Sequence, residues 1–271
     1  MRVAVTGASG LLGSAVVAQL RKRGHEVVQL SRPAFRLGEE VPHELLAGAE
    51  ALVHCAYDFK AFGWDEIRRV NVEGSLRLLK AAQNAGVGRI VFVSSIAAFD
   101  GCRSLYGKGK LQVEGRMRDA GGLVVRPGMI FGDAARRGIF GALEGAVRLP
   151  IVPVFGNGSF LFYLVHVQDV ARLIADCAED FEGWRGKLFV AAHREPITFK
   201  ALLLRIGSRV TGRGVATFPV PVGVGLLMLR TLEAFGLRLA FRSDSLVSMA
   251  HFDRAPPFSP EIDYGRFRPF E

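Results

Sequence analysis

An α/β fold with a doubly wound parallel sheet is predicted by three features of the sequence. Short β-branched runs alternate with longer helical patterns through residues 1–132. Three glycines fall at the first strand-to-helix junction, and the rhythm breaks after residue 132. Strand, helix and strand at this spacing require crossover connections. Right-handed crossovers then lay helices on both faces of one sheet.

The elements follow in order. "RVAVTG" (2–7) reads as a buried strand and "LLGSAVVAQLRKRG" (11–24) as a helix closed by Gly24. "HEVVQLS" (25–31) and "EALVHCA" (50–56) are the next two strands, and an amphipathic helix covers 64–85. "RIVFVSS" (89–95) is a strand, 106–119 a helix and "GLVVRPG" (122–128) a strand again. Residues 133–271 read as a smaller substrate-binding region, rich in glycine and proline, with 167–180 returning as a helix to the main domain (1–132). No internal repeat or low-complexity tract interrupts the chain.

Composition narrows the function classes. The formal charge is +9, but the arginines are scattered rather than gathered on a face or tail, which argues against a nucleic-acid binder. Three cysteines (Cys55, Cys102, Cys177) without C-x-x-C spacing fit neither a disulfide framework nor a zinc site, and no metal is expected. A reducing cytoplasm suits them. The first residues read as a strand, not a secretory leader. The apolar stretch 218–237 is interrupted by prolines, Arg230 and Glu233, so it fits a core, interface or membrane-surface helix better than a span. Stable membrane insertion is not expected, and a homodimer is a possible assembly.

"VAVTGASGLLGSAVV" places Gly7, Gly10 and Gly13 between the first strand and the first helix. Such a junction needs one glycine for the turn, one for backbone approach to a pyrophosphate and one for close helix packing. The phosphates would sit at the positive end of the helix. This is the fingerprint of a Rossmann-type NAD(P)-binding domain. Where an acid would accept the ribose 2′-OH, the second strand ends in Ser31 and Arg32. A hydroxyl and a guanidinium there favour a 2′-phosphate, hence NADP, with NAD as the alternative.

Tyr106 and Lys110 form a Y-x-x-x-K pair at the start of a predicted helix, where a spacing of four sets both on one face. An ammonium near the phenol would lower its pKa toward that of a working proton donor or acceptor. Ser95 ends the fourth strand, on the edge where open parallel sheets bind ligands.

Together these segments resemble the extended short-chain dehydrogenase/reductase family, the NAD(P)-dependent epimerase/dehydratase group. The segments are "TGASGLLG", "EALVHCA", "NVEGSLRLLKAAQNAGVGRIVFVSS", "YGKGKLQVE", "VRPGMIFG" and "VHVQDVARLI", in the family's order. The resemblance implies that Tyr106 is the acid/base, that Lys110 binds the nicotinamide ribose and supports Tyr106, and that Ser95 hydrogen-bonds the reacting oxygen. It also implies a cofactor set. Ser9, Leu11 and Leu12 join the three glycines at the phosphates. Cys55, Ala56 and Tyr57 lie over the adenosine side, and Val93, Pro127, Gly128, Met129 and Ile130 beside the nicotinamide. Asn71 matches a helix asparagine that supports the site, or is a simple polar helix residue.

The chain departs from the family in places. Only eleven residues separate Ser95 from Tyr106, and Phe99-Asp100 stands where Tyr-Gly is common. A short bridge predicts an open or differently shaped pocket. Phe160, Leu161, Phe162 and Leu164 replace the polar residues that would hold a diphosphate. If they line the pocket, a small or apolar carbonyl suits it better than a nucleotide sugar. If they form a strand facing the core, they say nothing about substrate. His166 reads as a structural hydrogen-bonding residue, and Met228 as a core or dimer contact. The expected protein is an NAD(P)-dependent oxidoreductase or epimerase of a small molecule. A nucleotide-sugar epimerase/dehydratase and a non-catalytic NADP(H)-binding regulatory or assembly protein are the alternatives.

Overall fold

A computed structural model of the chain describes residues 1–132, 139–237, 239 and 241–270. The boundary expected after residue 132 therefore abuts residues outside those described. In chain order the first half runs β1 (Arg2–Thr6), α1 (Leu11–Lys22), β2 (Glu26–Leu30), β3 (Ala51–His54), α2 (Gly63–Ile67), α3 (Glu73–Asn84), β4 (Arg89–Val93), α4 (Leu105–Asp119) and β5 (Leu123–Pro127). The helix expected over 64–85 is thus divided. Between α2 and α3 the backbone widens into a π-helical turn, Arg68–Val72.

The second half contains β6 (Met129–Phe131), α5 (Ile139–Ala146), β7 (Ile151–Phe155), β8 (Leu161–Phe162), β9 (Leu164–His166), α6 (Val167–Glu179), β10 (Leu188–Ala191), β11 (Ile197–Thr198), α7 (Phe199–Thr211), β12 (Ala216–Val220), α8 (Val222–Ala234) and α9 (Ser243–Ala250).

Six strands form one parallel sheet in the order β10-β5-β4-β3-β1-β2. The order reverses between β1 and β3, and that switch point is where open α/β sheets leave a crevice for ligands. Because every strand runs the same way, the loops after β1, β2, β3, β4 and β5 all emerge on one edge. Both faces are covered. Val3, Val5, Val16 and Leu20 pack with Val170, Ile174 and Cys177 of α6 on one side. Leu52, Leu78, Phe92, Val113 and Met117 pack on the other.

The second half adds three two-stranded sheets, β11-β8, β12-β7 and β6-β9, around a core of Phe131, Phe140, Leu202 and Ile206. Phe162 packs on Phe199, their rings 5.7 Å apart, and Leu164 is buried in β9. Within the run "FLFYLV", Leu161–Phe162 and Leu164–Val165 are strand, Tyr163, Leu164 and Val165 are buried, and Phe160, Leu161 and Phe162 are half-buried. No helix among the described residues is long and apolar enough to cross a membrane.

Candidate active site

Close packing at the switch point explains the glycines. A Cβ on Gly13 would fall 2.1 Å from the Gly7 carbonyl oxygen, so only glycine lets α1 lie this close to the turn. Gly7 has φ of +65°, and a Cβ there would meet the Ala56 amide nitrogen at 2.9 Å. The turn is closed by Gly10 N–H donating to the Gly7 carbonyl at 2.8 Å. Ser9 and Gly10 are exposed at the mouth of the turn, and Leu12 and Gly13 are buried behind it. A turn packed this closely at the start of α1 leaves room for backbone alone, the arrangement that fits a pyrophosphate.

Ser31 and Arg32 follow β2 on the same edge. The exposed Arg32 guanidinium lies 3.6 Å from the Asp58 carboxylate, which comes from the loop after β3. Asp58 is in turn gripped by Asn71 of the π-helical turn. The Asn71 amide accepts from the Asp58 N–H at 2.7 Å and donates to the Asp58 carbonyl at 3.1 Å. Asn71 thereby fixes the loop that carries Cys55, Ala56 and Tyr57. A second polar chain lies beneath it. The His54 ring joins Thr6 Oγ1 (2.7 Å) to Ser75 Oγ (2.8 Å), and Ser75 donates to the Asn71 carbonyl at 2.6 Å. Burial, with the Lys110 charge adding to it, depresses the His54 pKa to about 3, so the ring stays neutral.

The two serines after β4 point in different directions. Ser94 is buried and donates to Glu114 Oε1 at 2.5 Å, and Arg126 holds both oxygens of Glu114 at 2.9 and 2.6 Å. Ser95 accepts from the Ala97 N–H at 3.2 Å and lies close enough to the Tyr106 hydroxyl to influence its ionisation. Burial raises the Tyr106 pKa and Ser95 opposes the rise. The direction is opposite to that expected from a nearby ammonium, because burial of the phenol dominates and Lys110 directs its ammonium elsewhere. Its Nζ donates to the Val93 carbonyl at 2.8 Å and sits over the Phe92 and Tyr57 rings at 4.8 and 5.1 Å. Burial brings Lys110 down to about 8, against the opposing influence of Cys55 and Glu114. Cys55 is pushed up to about 12 by burial, so it is a thiol and no nucleophile.

The short bridge is a tight stack of turns. Ala98 N–H donates to the Ser95 carbonyl at 2.9 Å and Cys102 N–H to the Phe99 carbonyl at 3.0 Å. Gly107 lets α4 press on it, since a Cβ there would meet the Ala97 carbonyl at 2.3 Å. Two sets of contacts close the site. The Tyr57 ring meets Tyr106 edge-on at 4.9 Å, and Phe59 stacks on Tyr106 at 5.9 Å. From α9, the Asp244 carboxylate accepts from the N–H groups of Leu105 (2.6 Å) and Tyr106 (3.0 Å). Sequence reasoning placed Tyr57 on the adenosine side, and the structure sets its ring against Tyr106; nothing local marks Phe59 or Asp244.

On the far side of the crevice, Pro127 ends β5 and Gly128 follows. A Cβ on Gly128 would meet the Tyr163 carbonyl at 2.2 Å, so β6, with Met129 and Ile130, can pair with β9 only if this residue is glycine. His166 ends β9 and its Nδ1 accepts from the Gln168 N–H at 3.2 Å, capping α6. Among the described residues no cluster of three or more His, Cys, Asp or Glu side chains could hold a metal.

A glycine-rich turn at the switch point and a Ser/Tyr/Lys arrangement on the same sheet edge belong to a fold of the extended short-chain dehydrogenase/reductase class. Residues 3–192 match the model of the NAD dependent epimerase/dehydratase family, and the chain belongs to that family. It is 35% identical over 196 residues to a ceramide reductase of Caulobacter vibrioides, covering 65% of this chain and 60% of that protein. An uncharacterised protein of Mycobacterium tuberculosis is 30% identical over 224 residues, 76% of this chain and 23% of its own length. The chain thus spans between about a quarter and three fifths of these curated relatives. Among solved structures, MoeE5 in complex with UDP-glucuronic acid and NAD aligns with a TM-score of 0.70 at 22% identity, over 82% of this chain and 86% of that one. At that identity the likeness speaks for the fold alone.

Proposed function

We propose that the chain is an NADP(H)-dependent oxidoreductase or epimerase in which Tyr106 relays a proton to or from a substrate carbonyl or hydroxyl oxygen. The observation that carries this reading is the placement of Ser95 beside the Tyr106 hydroxyl at the sheet edge, with Lys110 on the same helix face. A bound nicotinamide supplies or accepts the hydride. The three glycines and the start of α1 would hold its pyrophosphate. Ser31 and Arg32 would hold the 2′-phosphate, which would compete with Asp58 for the guanidinium.

Ser95 orients the reacting oxygen toward the Tyr106 hydroxyl, which donates its proton in the reductive direction and recovers it in the reverse. Lys110, on the same helix face and held by the Val93 carbonyl, would bind the nicotinamide ribose beside Tyr106. The approach to Tyr106 is lined by Tyr57 and Phe59, and this aromatic entry suits an apolar carbonyl substrate better than a nucleotide sugar. The ceramide reductase relative favours the same substrate class.

A screen of apolar aldehydes and ketones that follows NADPH absorbance tests the proposal. Tyr106→Phe is expected to lower kcat by about 10²–10⁴-fold while leaving NADPH binding intact. Unchanged turnover would remove Tyr106 from the mechanism. Paired titrations should show tighter binding of NADPH than NADH, with Arg32→Ala erasing the difference. Tighter NADH binding by the wild type would overturn the cofactor assignment.

A further inference from the structure

In the loop after β3, each residue from 58 to 62 has a backbone group held by a side chain. Asn71 grips the Asp58 N–H and carbonyl, and the Asp58 carboxylate accepts from the Lys60 N–H at 2.8 Å. Glu66 accepts from the Phe62 N–H at 2.8 Å. The Phe59 and Ala61 carbonyls both accept from one guanidinium, that of Arg242, the Ala61 contact being 3.5 Å. A loop paired in this way shifts only by breaking hydrogen bonds.

The side chain that this loop presents gains little from being held. Phe59 is 63% exposed, so it adds little to the core. Its ring centre lies 4.9 Å from that of Tyr57 and 5.9 Å from that of Tyr106, and it is within 25° of parallel to Tyr106. The contacts it makes are therefore contacts with the candidate site. Fixing the loop fixes an apolar surface beside the reactive phenol.

Tyr106 is held from the same place. Asp244 takes the N–H groups of Leu105 and Tyr106 at 2.6 and 3.0 Å. Between the two, Ser243 is tied through its N–H and hydroxyl to Glu233 of α8, at 2.7 Å each. The charges suit what they grip, a cation for carbonyls and an anion for the N–H groups at a helix start. One tripeptide thus holds Phe59 from one side and Tyr106 from the other.

We propose that Arg242 is a positioning residue and Phe59 a specificity-determining one. The guanidinium holds the loop so that the Phe59 ring stands as a fixed apolar wall at Tyr106, favouring carbonyl compounds with an apolar substituent over hydroxylated ones. A wall built in advance costs the ligand no ordering of the protein. A hydroxylated substituent would leave water for a surface that returns no hydrogen bond. The specificity role rests on the catalytic reading of Tyr106, whereas the positioning role does not.

Hydroxyl-radical labelling of the full chain, read by mass spectrometry, tests the positioning without turnover. Arg242→Ala and Phe59→Ala should each raise labelling of Tyr106 severalfold. Tyr163 and Tyr264, buried elsewhere, should label as in the wild type, with melting close to wild type. Phe59→Tyr, which keeps a ring, should keep Tyr106 protected. Unchanged Tyr106 labelling in Arg242→Ala would overturn the positioning role, and so would an equal rise at all three tyrosines, the mark of general loosening. Octanal and glyceraldehyde with NADPH then read specificity. Phe59→Ala should lower the ratio of kcat/KM for octanal to that for glyceraldehyde by about tenfold, mainly through KM for octanal. Arg242→Ala should lower it in the same direction. An unchanged ratio would overturn the specificity role. A wild type that reduces neither aldehyde would overturn it together with the catalytic reading, while the labelling still decides the positioning.

Discussion

Lys110 is the residue on which the energetics of the site turn. Its ammonium is buried against two aromatic rings and one carbonyl, and burial lowers its pKa from 10.5 to about 8. In the unfolded chain the same lysine stays protonated until about pH 10.4. Between those values the unfolded state binds the extra proton, so the folded state gains stability as pH rises. The cost of burying the charge is fully present below pH 8 and gone above the unfolded pKa. Urea unfolding of the wild type and Lys110→Met should therefore diverge. Relative to the variant, the wild type should gain on the order of 3 kcal/mol from below pH 8 to above pH 10.5. Parallel pH curves would mean that Lys110 is not a buried cation. A buried charge maintained at such a cost is the pattern of a functional group. The same reasoning separates the two serines, because Ser94 is committed to the Glu114–Arg126 pair while Ser95 is the one whose side chain bears on the Tyr106 hydroxyl.

At the scale of the element, α4 has two caps from different parts of the chain. Ser104 accepts from the Gly107 N–H at 3.1 Å, the local cap. Asp244 takes the Leu105 and Tyr106 N–H groups and sets a carboxylate at the positive end of the helix dipole. Asp244→Ala should cost about 1 kcal/mol of stability, and it should lower kcat more than it raises KM, since it frees the turn that aims Tyr106. Thermal melting and steady-state kinetics check the two effects, and an unchanged kcat would reduce Asp244 to a structural cap. The elements also explain what could be read in advance. The parallel sheet, the glycine turn and the Tyr106–Lys110 face were legible because each depends on spacings of two, three or four residues. Asp244 was not, because 138 residues separate it from Tyr106 and only tertiary folding joins them. The π-helical turn that seats Asn71 has no periodic signature in a helical run. The "FLFYLV" alternation is compatible with a pocket wall and with a core strand, and the structure pairs part of it as strand with Phe162 against Phe199.

Across the whole molecule the later sequence is woven into the early sheet. β10 pairs with β5 as the sixth strand, and α6 packs on α1. The tail then returns, with Ile262, Tyr264 and Phe267 joining the core around α1 and α6. The Tyr264 hydroxyl donates to the Val190 carbonyl at 2.9 Å, and the Arg268 N–H donates to Asp169 at 2.8 Å. Asp169 is fully buried, and its other oxygen lies 3.3 Å from Arg172 and 3.4 Å from Arg268. A chain ending at Arg254 keeps the glycine turn, the Tyr/Lys helix and Asp244, but it loses these contacts. Each apolar side chain removed contributes roughly 1.5–3 kcal/mol, and stripping partners from a buried carboxylate costs about 3–5 kcal/mol more. Against a typical total of about 5–15 kcal/mol, that loss is most of the stability. The truncated chain should therefore show no cooperative melting and no NADPH binding, by circular dichroism and fluorescence titration. Native-like melting would instead mean that the tail is an accessory to a self-sufficient dinucleotide-binding unit. The expected failure would place the stability of the cofactor site in residues far from it in sequence, because Asp169 lies at the start of the helix that covers α1.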